Sequence, residues 1–113
     1  MKSGRQFAIV LVTAPNRATA RKLARLVLGS RLAACANLIS NIESHYWWRG
    51  KLESSAEVLL LFKTDQRRLK ALEKLVLDHH PYETPEVVAL DFLSGTSKYL
   101  DWIKNSVALE SRR

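Results

Sequence analysis

The chain has 113 residues, of which 47% are hydrophobic and 26% are charged. This length fits one domain, and this composition is typical of a folded globular protein rather than a disordered one. The formal charge is +7, and the whole excess lies in residues 1–42, because residues 43–113 hold equal numbers of acidic and basic side chains. The charge therefore excludes a uniformly basic coat of the kind that attracts nucleic acid over a whole surface.

The amino-terminal segment and the cysteine content bear on the compartment. Residues 7–12 are apolar and follow two basic residues, as in a secretory signal, but the run is short and β-branched, so it predicts a strand. A single cysteine, Cys35, excludes an intrachain disulfide and fits a reducing compartment. No apolar stretch approaches the roughly 20 residues of a membrane span. We expect a soluble cytoplasmic protein without a membrane partner.

The first strand and the first helix follow each other directly. Residues 7–13 form a nearly continuous apolar run, which predicts a strand covered on both faces. Pro15 ends this strand, and Asn16 can cap a helix that ends near residues 29–31. Arginines at four-residue spacing form one solvated ridge of this helix: Arg17, Arg21 and Arg25.

The middle of the chain predicts a hairpin followed by a second helix. Residues 33–46 and residues 58–62 favour extended structure, and Gly50 between them is typical of a tight reversal. Asp65 is predicted to cap the second helix. This helix should end at His80, because Pro81 displaces the preceding residue from the helical region.

The last third predicts a fourth strand over residues 87–92, a turn at residues 94–96 and a short helix over residues 99–107. The order βαββαβ with a terminal helix indicates an α+β, ferredoxin-like fold with an antiparallel sheet. We expect a single domain over residues 1–113, with its core from about residue 7 to residue 107.

The densest group of metal-ligating side chains lies between the second helix and the fourth strand. It contains His79, His80, Tyr82, Glu83 and Glu86. Imidazole and carboxylate groups suit copper or zinc. Adjacent histidines on a regular helix point about 100° apart, and Pro81 can change that angle by forcing His80 out of the helix. The alternative is that both histidines merely lie at a helix end, where the dipole favours positive charge.

Two further features have both a functional and a structural interpretation. Cys35 lies among small apolar residues, so we expect a packed, inert thiol rather than a metal ligand. Trp47 and Trp48 fall on opposite faces of a strand, and a single small core cannot cover both indoles. One of them is therefore an interface candidate, and a surface position over the hairpin is the alternative.

RNA binding and catalysis are both disfavoured. The predicted third strand, residues 57–64, has one aromatic residue and no glycine, so it lacks the stacking platform of RNA-recognition domains with this topology. The histidines are not accompanied by a nucleophile, a phosphate-binding glycine loop or a separated carboxylate pair. We therefore expect neither a nucleic-acid partner nor an enzyme.

Six short sequence motifs occur in order, at natural spacing, between about residue 7 and residue 107. They are Val12-Thr13-Ala14-Pro15, Leu32-Ala33-Ala34-Cys35-Ala36-Asn37, Tyr46-Trp47-Trp48-Arg49-Gly50-Lys51, Phe62-Lys63-Thr64, His80-Pro81-Tyr82 with Thr84-Pro85-Glu86, and Tyr99-Leu100-Asp101-Trp102. Together they resemble the CutA divalent-cation-tolerance family. The resemblance implies a ferredoxin-like homotrimer with an architecture similar to PII signalling proteins, associated with copper or other divalent cations and with no established catalytic activity.

The resemblance also implies a metal site. Family members with a proposed copper site use two histidines, which match His79 and His80, and a cysteine whose position is Val12 here. Without that thiolate, the site would have to be completed by Glu83, Glu86, Tyr82 or a neighbouring subunit. The function implied is binding of divalent metal, copper in particular, in divalent-cation tolerance.

A second function is implied by the same family. Its motif positions include Lys63, Tyr82 and Glu86, which would line a cleft between subunits. Such a cleft would accept a small anionic ligand or a partner protein. The alternative function is therefore a PII-like signalling module that binds a small ligand or a protein and has no metal role.

Overall fold

The protein is described by a computed structural model over residues 1–108. Its elements are β1 Lys2–Ser3, β2 Phe7–Ala14, α1 Arg17–Gly29, β3 Cys35–Trp48, β4 Lys51–Asp65, a short 3-10 helix Gln66–Arg68, α2 Leu69–His79, β5 Val87–Asp91, β6 Ser94–Gly95 and α3 Ser97–Ser106. The end of the expected domain, residues 109–113, lies outside the described residues. Within residues 1–108, no helix has the length and apolar character needed to span a membrane.

The main sheet confirms the predicted ferredoxin-like order. Its four antiparallel strands are arranged β3-β4-β2-β5. A separate small sheet joins β1 to β6, with Lys2 opposite Gly95 and Ser3 opposite Ser94. The sequence instead predicts a turn at residues 94–96 and no strand before residue 7. That prediction is wrong there because a two-residue strand is too short to show an alternating pattern.

One face of the sheet is covered by α1 and α2. The fully buried side chains between the layers are Val10, Val12, Leu23, Val27, Leu60, Phe62, Leu72 and Val76. They come from alternate positions of β2 and β4 and from one stripe of each helix, as amphipathic packing requires. The predicted arginine ridge of α1 lies on the exposed side of that helix.

The other face of the sheet is apolar, and α3 covers its Phe7 end through Leu100 and Ile103. The rest of this face is called the open face below. It carries Ile9, Leu11, Ile39, Leu59, Leu61, Val88 and Leu90. The outer strands are the most exposed, with Ile39 at 46%, Val88 at 44% and Leu90 at 47%. A contiguous apolar face of this kind marks an interaction surface in a water-soluble protein.

The helix boundaries lie where the sequence predicts them, except for the start of α2. The Asn16 side chain accepts a hydrogen bond of 2.8 Å from the backbone N–H of Thr19, which confirms the predicted cap of α1. Asp65 is a cap as predicted, but it caps the short 3-10 helix, and α2 itself begins one turn later, at Leu69. The helix α2 ends at His79, and His80 is extended with ψ of 136°, as the proline after it requires.

The long hairpin extends past the rest of the sheet. Strand β2 ends opposite Val58, so residues 42–57 pair only with each other and are called the hairpin arm below. The arm closes through a two-residue turn in which Arg49 and Gly50 both have positive φ, 52° and 78°. This is the primed turn that matches strand twist, and it confirms the predicted reversal.

A β-bulge separates the arm from the sheet. Ile39 lies opposite Leu59 and Ile42 lies opposite Glu57, so two residues of β3 face one residue of β4. From Ile42 onward, the even-numbered residues of β3 share a face with Glu57. Tyr46 and Trp48 are therefore on that face, whereas Trp47 points to the other side.

Candidate functional site

A cavity of about 620 Å³ lies where the hairpin arm leaves the sheet. It is called the arm cavity below, and it is lined by Thr13, Tyr46, Trp47, Trp48, Glu57, Pro81, Tyr82, Glu83, Thr84 and Glu86. The end of β2, the arm and the loop between α2 and β5 thus meet at one place. The volume falls within the range of about 300 to 1,000 Å³ that is usual for small-molecule sites.

The most buried charged group of the cavity is Glu57, which is only 9% exposed. Its Oε2 accepts a hydrogen bond of 2.6 Å from the Tyr82 hydroxyl. Burial of the phenol raises the pKa of Tyr82 well above its usual range, and the bond to Glu57 raises it further, so the hydroxyl remains a donor. Among residues 1–108, no hydrogen bond reaches Oε1 of Glu57. That oxygen is free to accept a donor from the cavity.

The imidazole of His80 is buried and holds the loop in place. Its Nε2 lies 2.7 Å from the Thr13 carbonyl oxygen, which can only accept, so Nε2 donates. Its Nδ1 accepts a hydrogen bond of 3.1 Å from the backbone N–H of Tyr82. Both ring nitrogens are therefore engaged, and neither offers a lone pair to a metal. The ring also packs against that of Tyr82, with 4.8 Å between centroids.

The neighbouring His79 is in a different environment. It is exposed, and its Nδ1 lies 3.0 Å from the Leu75 carbonyl oxygen of its own helix. Because that carbonyl accepts, Nδ1 donates, and Nε2 keeps its lone pair for a ligand. The two predicted metal ligands are thus unequal: His79 has an available nitrogen, and His80 does not.

The remaining predicted residues of the loop line the cavity or its rim. Glu86 is a lining residue, and Glu83 accepts a hydrogen bond of 2.9 Å from the guanidinium of Arg49. That guanidinium also lies over the Trp48 ring, 5.2 Å from its centroid. Trp47 is 73% exposed and Trp48 is 39% exposed, so neither indole is packed into a core within this chain.

Lys63 is not part of this group within one chain. It donates a hydrogen bond to Asn37 and lies opposite Ile9 and Cys35 in the sheet. At about 3.3 Å per residue along a strand, it is roughly 20 Å from Glu57. The structure therefore brings Tyr82 and Glu86 together but leaves Lys63 at the other end of β4.

Cys35 and Val12 are the two other positions that the sequence relates to metal binding. Cys35 is half-buried rather than fully packed, with its Sγ 3.9 Å from the Tyr99 hydroxyl. Val12, at the family's cysteine position, is fully buried in the helix-side core and offers no ligand. Within residues 1–108, no three His, Cys, Asp or Glu side chains converge closely enough to hold one metal ion.

Sequence reasoning missed Glu57, Thr13 and Tyr46 as site residues. Of these three residues, only Glu57 could have been singled out from the sequence, because it is a carboxylate that directly precedes the apolar run of β4. Its importance depends on Tyr82, which is distant in sequence and covers it only in the folded chain. Thr13 contributes its backbone carbonyl, which has no sequence signature.

The comparisons with known proteins agree with this fold. Residues 8–106 match the family model described as CutA1 divalent ion tolerance protein. The chain therefore belongs to the CutA1 divalent ion tolerance protein family. This finding confirms the resemblance noted in the sequence, and the family description refers to tolerance of divalent ions and to no enzymatic reaction.

The CutA proteins named below are 32% to 46% identical to this chain over the aligned residues. Protein CutA 1, chloroplastic, from Oryza sativa subsp. japonica is 46% identical over 98 residues, 87% of this chain and 55% of its own length. This chain thus spans about half of that plant relative. The divalent-cation tolerance protein CutA of Yersinia pestis is 46% identical over 99 residues, 88% of this chain and 83% of its own length.

A solved CutA structure matches in three dimensions. The periplasmic divalent cation tolerance protein CutA from Archaeoglobus fulgidus superposes with a TM-score of 0.88 at 32% identity and covers 90% of this chain and 99% of its own. The names of these relatives place one in the chloroplast and another in the periplasm. CutA proteins are therefore not confined to one compartment.

Proposed function

We propose that this chain is a single CutA-like domain that forms a homotrimer, binds divalent metal, copper in particular, and catalyses no reaction. The observation that carries the proposal is the family match over residues 8–106, whose description is divalent ion tolerance. The cytoplasm is the proposed compartment, because the one cysteine is free and a reducing environment keeps it so.

The homotrimer is supported by the open face. Apolar side chains of all four strands of the main sheet point away from α1 and α2, and the outermost are nearly half exposed. The arm adds Trp47 at 73% and Leu52 at 66% exposure. Copies of the chain that cover these surfaces for one another remove that apolar area from water, which drives assembly.

A single substitution tests the assembly. Leu61→Asp places a charge in the middle of the open face, and we expect sedimentation equilibrium to give the mass of one chain instead of three. Leu77→Asp is the matched control, because Leu77 is 46% exposed on α2 and away from the open face, so its trimer should persist. A monomeric parent protein, or a trimer that survives Leu61→Asp, contradicts the proposal.

The metal role falls chiefly on His79. Its Nε2 is available at the surface, whereas His80 would have to give up its bonds to Thr13 and Tyr82. We assign His80 to positioning the loop, and we propose that Glu83, Glu86 or a neighbouring copy completes the coordination of His79. Imidazole and carboxylate groups are ligands that Cu(II) accepts.

Calorimetric titration with Cu(II) tests this assignment. His79→Ala should weaken binding by roughly tenfold or more, since each 1.4 kcal/mol of lost ligand energy is a factor of ten. His45→Ala is the control, because His45 is another exposed histidine, paired with Glu43 on the arm. Equal affinity of the parent and the His79→Ala variant would exclude His79 as a ligand.

A second candidate function is the PII-like binding of a small ligand without a metal role, and the arm cavity favours it. The cavity has the size of a ligand site and contains Tyr82 and Glu86, and Lys63 can join it only from another copy. A thermal-shift screen of metabolites against metal ions separates the two candidates. Stabilisation by metabolites alone supports the second, and stabilisation by metals alone supports the first.

A further inference from the structure

We infer that the arm cavity binds a small organic cation, an ammonium or guanidinium compound, with Glu57 as its counter-ion. This inference rests on the second candidate function, binding of a small ligand, and names the chemical class of that ligand. It departs from the small anionic ligand that the family resemblance implies, because the charges that line the cavity have the opposite sign.

The sign of charge is the first argument. Among residues 1–108, the side chains that line the cavity include three carboxylates, those of Glu57, Glu83 and Glu86, and no lysine, arginine or histidine. The chain as a whole has a formal charge of +7, so this acidic lining runs against the average of the surface. A concave site of one sign concentrates counter-ions of the other, here cations.

The second argument is the incomplete hydrogen bonding of Glu57. This side chain is 9% exposed and receives one hydrogen bond, from Tyr82, on Oε2. A buried carboxylate normally has several donors, because removing its charge from water is costly. Its other oxygen has no donor among residues 1–108 and belongs to a residue that lines the cavity. That oxygen is not sealed from solvent, so a cationic N–H from a ligand can replace water as its donor.

The aromatic walls are the third argument. Tyr46 and Trp48, on the Glu57 face of the arm, and Tyr82 line the same space as the carboxylates. Aromatic faces attract ammonium and guanidinium groups, and acidic residues among them complete the recognition. The chain already contains one such pairing at the rim, where the Arg49 guanidinium lies 5.2 Å from the Trp48 centroid and 2.9 Å from Glu83.

The size and spacing of the groups favour an organic cation over a metal ion. A water molecule occupies about 30 Å³ of liquid, so a cavity of about 620 Å³ accommodates a molecule with many heavy atoms. The three carboxylates do not converge on a point that could hold one metal ion. An organic cation with a positive charge at each end can reach more than one of these carboxylates.

The probe for this inference is agmatine, which has a guanidinium at one end and an ammonium at the other. Binding is measured on the assembled full chain by calorimetry and by tryptophan fluorescence, since Trp47 and Trp48 line the cavity. Two analogues serve as comparisons: 4-guanidinobutanoate, in which a carboxylate replaces the ammonium, and glutarate, a dianion. We expect affinity to fall in the order agmatine, 4-guanidinobutanoate, glutarate.

Matched variants locate the site. Glu57→Gln keeps the shape and an acceptor for Tyr82 but removes the charge, and it should weaken agmatine binding by roughly tenfold or more. Glu53→Gln is the control, because Glu53 is exposed on the same strand and does not line the cavity. Arg49→Asn should strengthen binding, since it removes a competing cation and asparagine tolerates the φ of 52° at this position.

The outcomes are separable from those of the metal proposal. Three results would overturn the inference: no binding of agmatine, tighter binding of glutarate than of agmatine, or equal losses of agmatine affinity in Glu57→Gln and Glu53→Gln. The first of these is also the result expected if a neighbouring copy fills the cavity. If other metabolites stabilise the protein while agmatine does not, ligand binding stands and only the cationic class is wrong. The copper titration of His79→Ala is unaffected by any of these results.

Discussion

Two carboxylates are buried on the same strand, and their surroundings differ. Asp65, at the end of β4, is 1% exposed, and Glu57, eight residues earlier, is 9% exposed. Both oxygens of Asp65 accept hydrogen bonds, from the Arg67 side chain, the Arg67 backbone N–H and the Gln6 amide, at 2.8 to 3.1 Å. Among residues 1–108, Glu57 has one donor, Tyr82.

The difference separates a structural carboxylate from a site carboxylate. Burial alone raises the pKa of Asp65, but the hydrogen bonds and positive charge of Arg67, together with Gln6, outweigh it and leave the pKa below its ordinary value. The folded chain thus satisfies Asp65 completely. Glu57 keeps an unused acceptor beside a cavity, and unused capacity of this kind is what a ligand site requires.

The largest expected effect comes from Asp65, the carboxylate whose two oxygens both accept hydrogen bonds from the folded chain. Asp65→Asn removes the charge that binds Arg67 and weakens the cap of the 3-10 helix, and it should lower the free energy of unfolding by about 3 kcal/mol at pH 7. Urea unfolding followed by circular dichroism measures the change. A loss below about 0.5 kcal/mol, the level of an ordinary surface substitution, would show that these hydrogen bonds are not formed in solution.

The same variant has a defined pH dependence. Because the pKa of Asp65 is lower in the folded chain, its contribution is fully present above the ordinary value of 3.8 and is lost as the pH falls through the folded pKa. The stability difference between the parent and Asp65→Asn should therefore shrink as the pH falls below about 4. A difference that grows on acidification contradicts the sign of this pKa shift.

The second-largest effect is expected at His80, which holds the loop that carries Tyr82, the partner of Glu57. His80→Ala deprives the Thr13 carbonyl and the Tyr82 N–H of their partner, and it should cost about 2 kcal/mol of unfolding free energy. The adjacent His79→Ala is the control and should cost less than about 0.5 kcal/mol, because that ring is exposed. Equal losses for the two variants would refute the different roles assigned to them.

A smaller effect follows from removing one oxygen atom. Tyr82→Phe removes the donor that Glu57 has within residues 1–108, and it should lower the free energy of unfolding by about 1 kcal/mol. Tyr46→Phe is the matched control. The Tyr46 side chain is exposed and its hydroxyl lies 3.1 Å from that of Ser55, so the loss should be at most half as large. Thermal melts of both variants provide the measurement, and a reversed order would contradict the burial of the Tyr82 bond.

The smallest effect completes the comparison of the two carboxylates. Glu57→Gln makes the same change of carboxylate to amide as Asp65→Asn, but it should alter stability by less than about 0.5 kcal/mol. The amide oxygen still accepts from Tyr82, and loss of a buried charge offsets the weaker bond. If urea unfolding gives Glu57→Gln a loss as large as that of Asp65→Asn, Glu57 is a structural residue and the contrast fails.

The fold could be predicted because its signals are local. The hairpin turn at Gly50, the cap at Asn16 and the break before Pro81 are all confirmed where the sequence places them. Each depends on residues within a few positions of one another. The pair formed by β1 and β6 could not be predicted, because it joins residues more than 90 positions apart through two residues on each side.

The site was harder to predict because it depends on distant contacts. Pro81 indicates that His80 leaves the helix, yet nothing local shows that its ring meets the Thr13 carbonyl, 67 residues away. The motif positions of Lys63 and Tyr82 suggest one cleft. Within one chain, however, Lys63 lies about 20 Å along β4 from Glu57, the partner of Tyr82. Local sequence predicts which groups are available, and only tertiary contacts decide which remain free.

The bulge before the arm has a consequence for insertions and deletions in this chain. Asn41, with a φ of 60°, is one of the two residues of β3 that face a single residue of β4. Deleting it would leave every later pair of the hairpin intact. With the bulge kept, deleting a residue from 42 to 46 would exchange the two sides of the arm beyond that residue and turn Trp47 toward the Glu57 face. Strand β3 thus tolerates a change of length at one place without altering which aromatic rings meet the carboxylates.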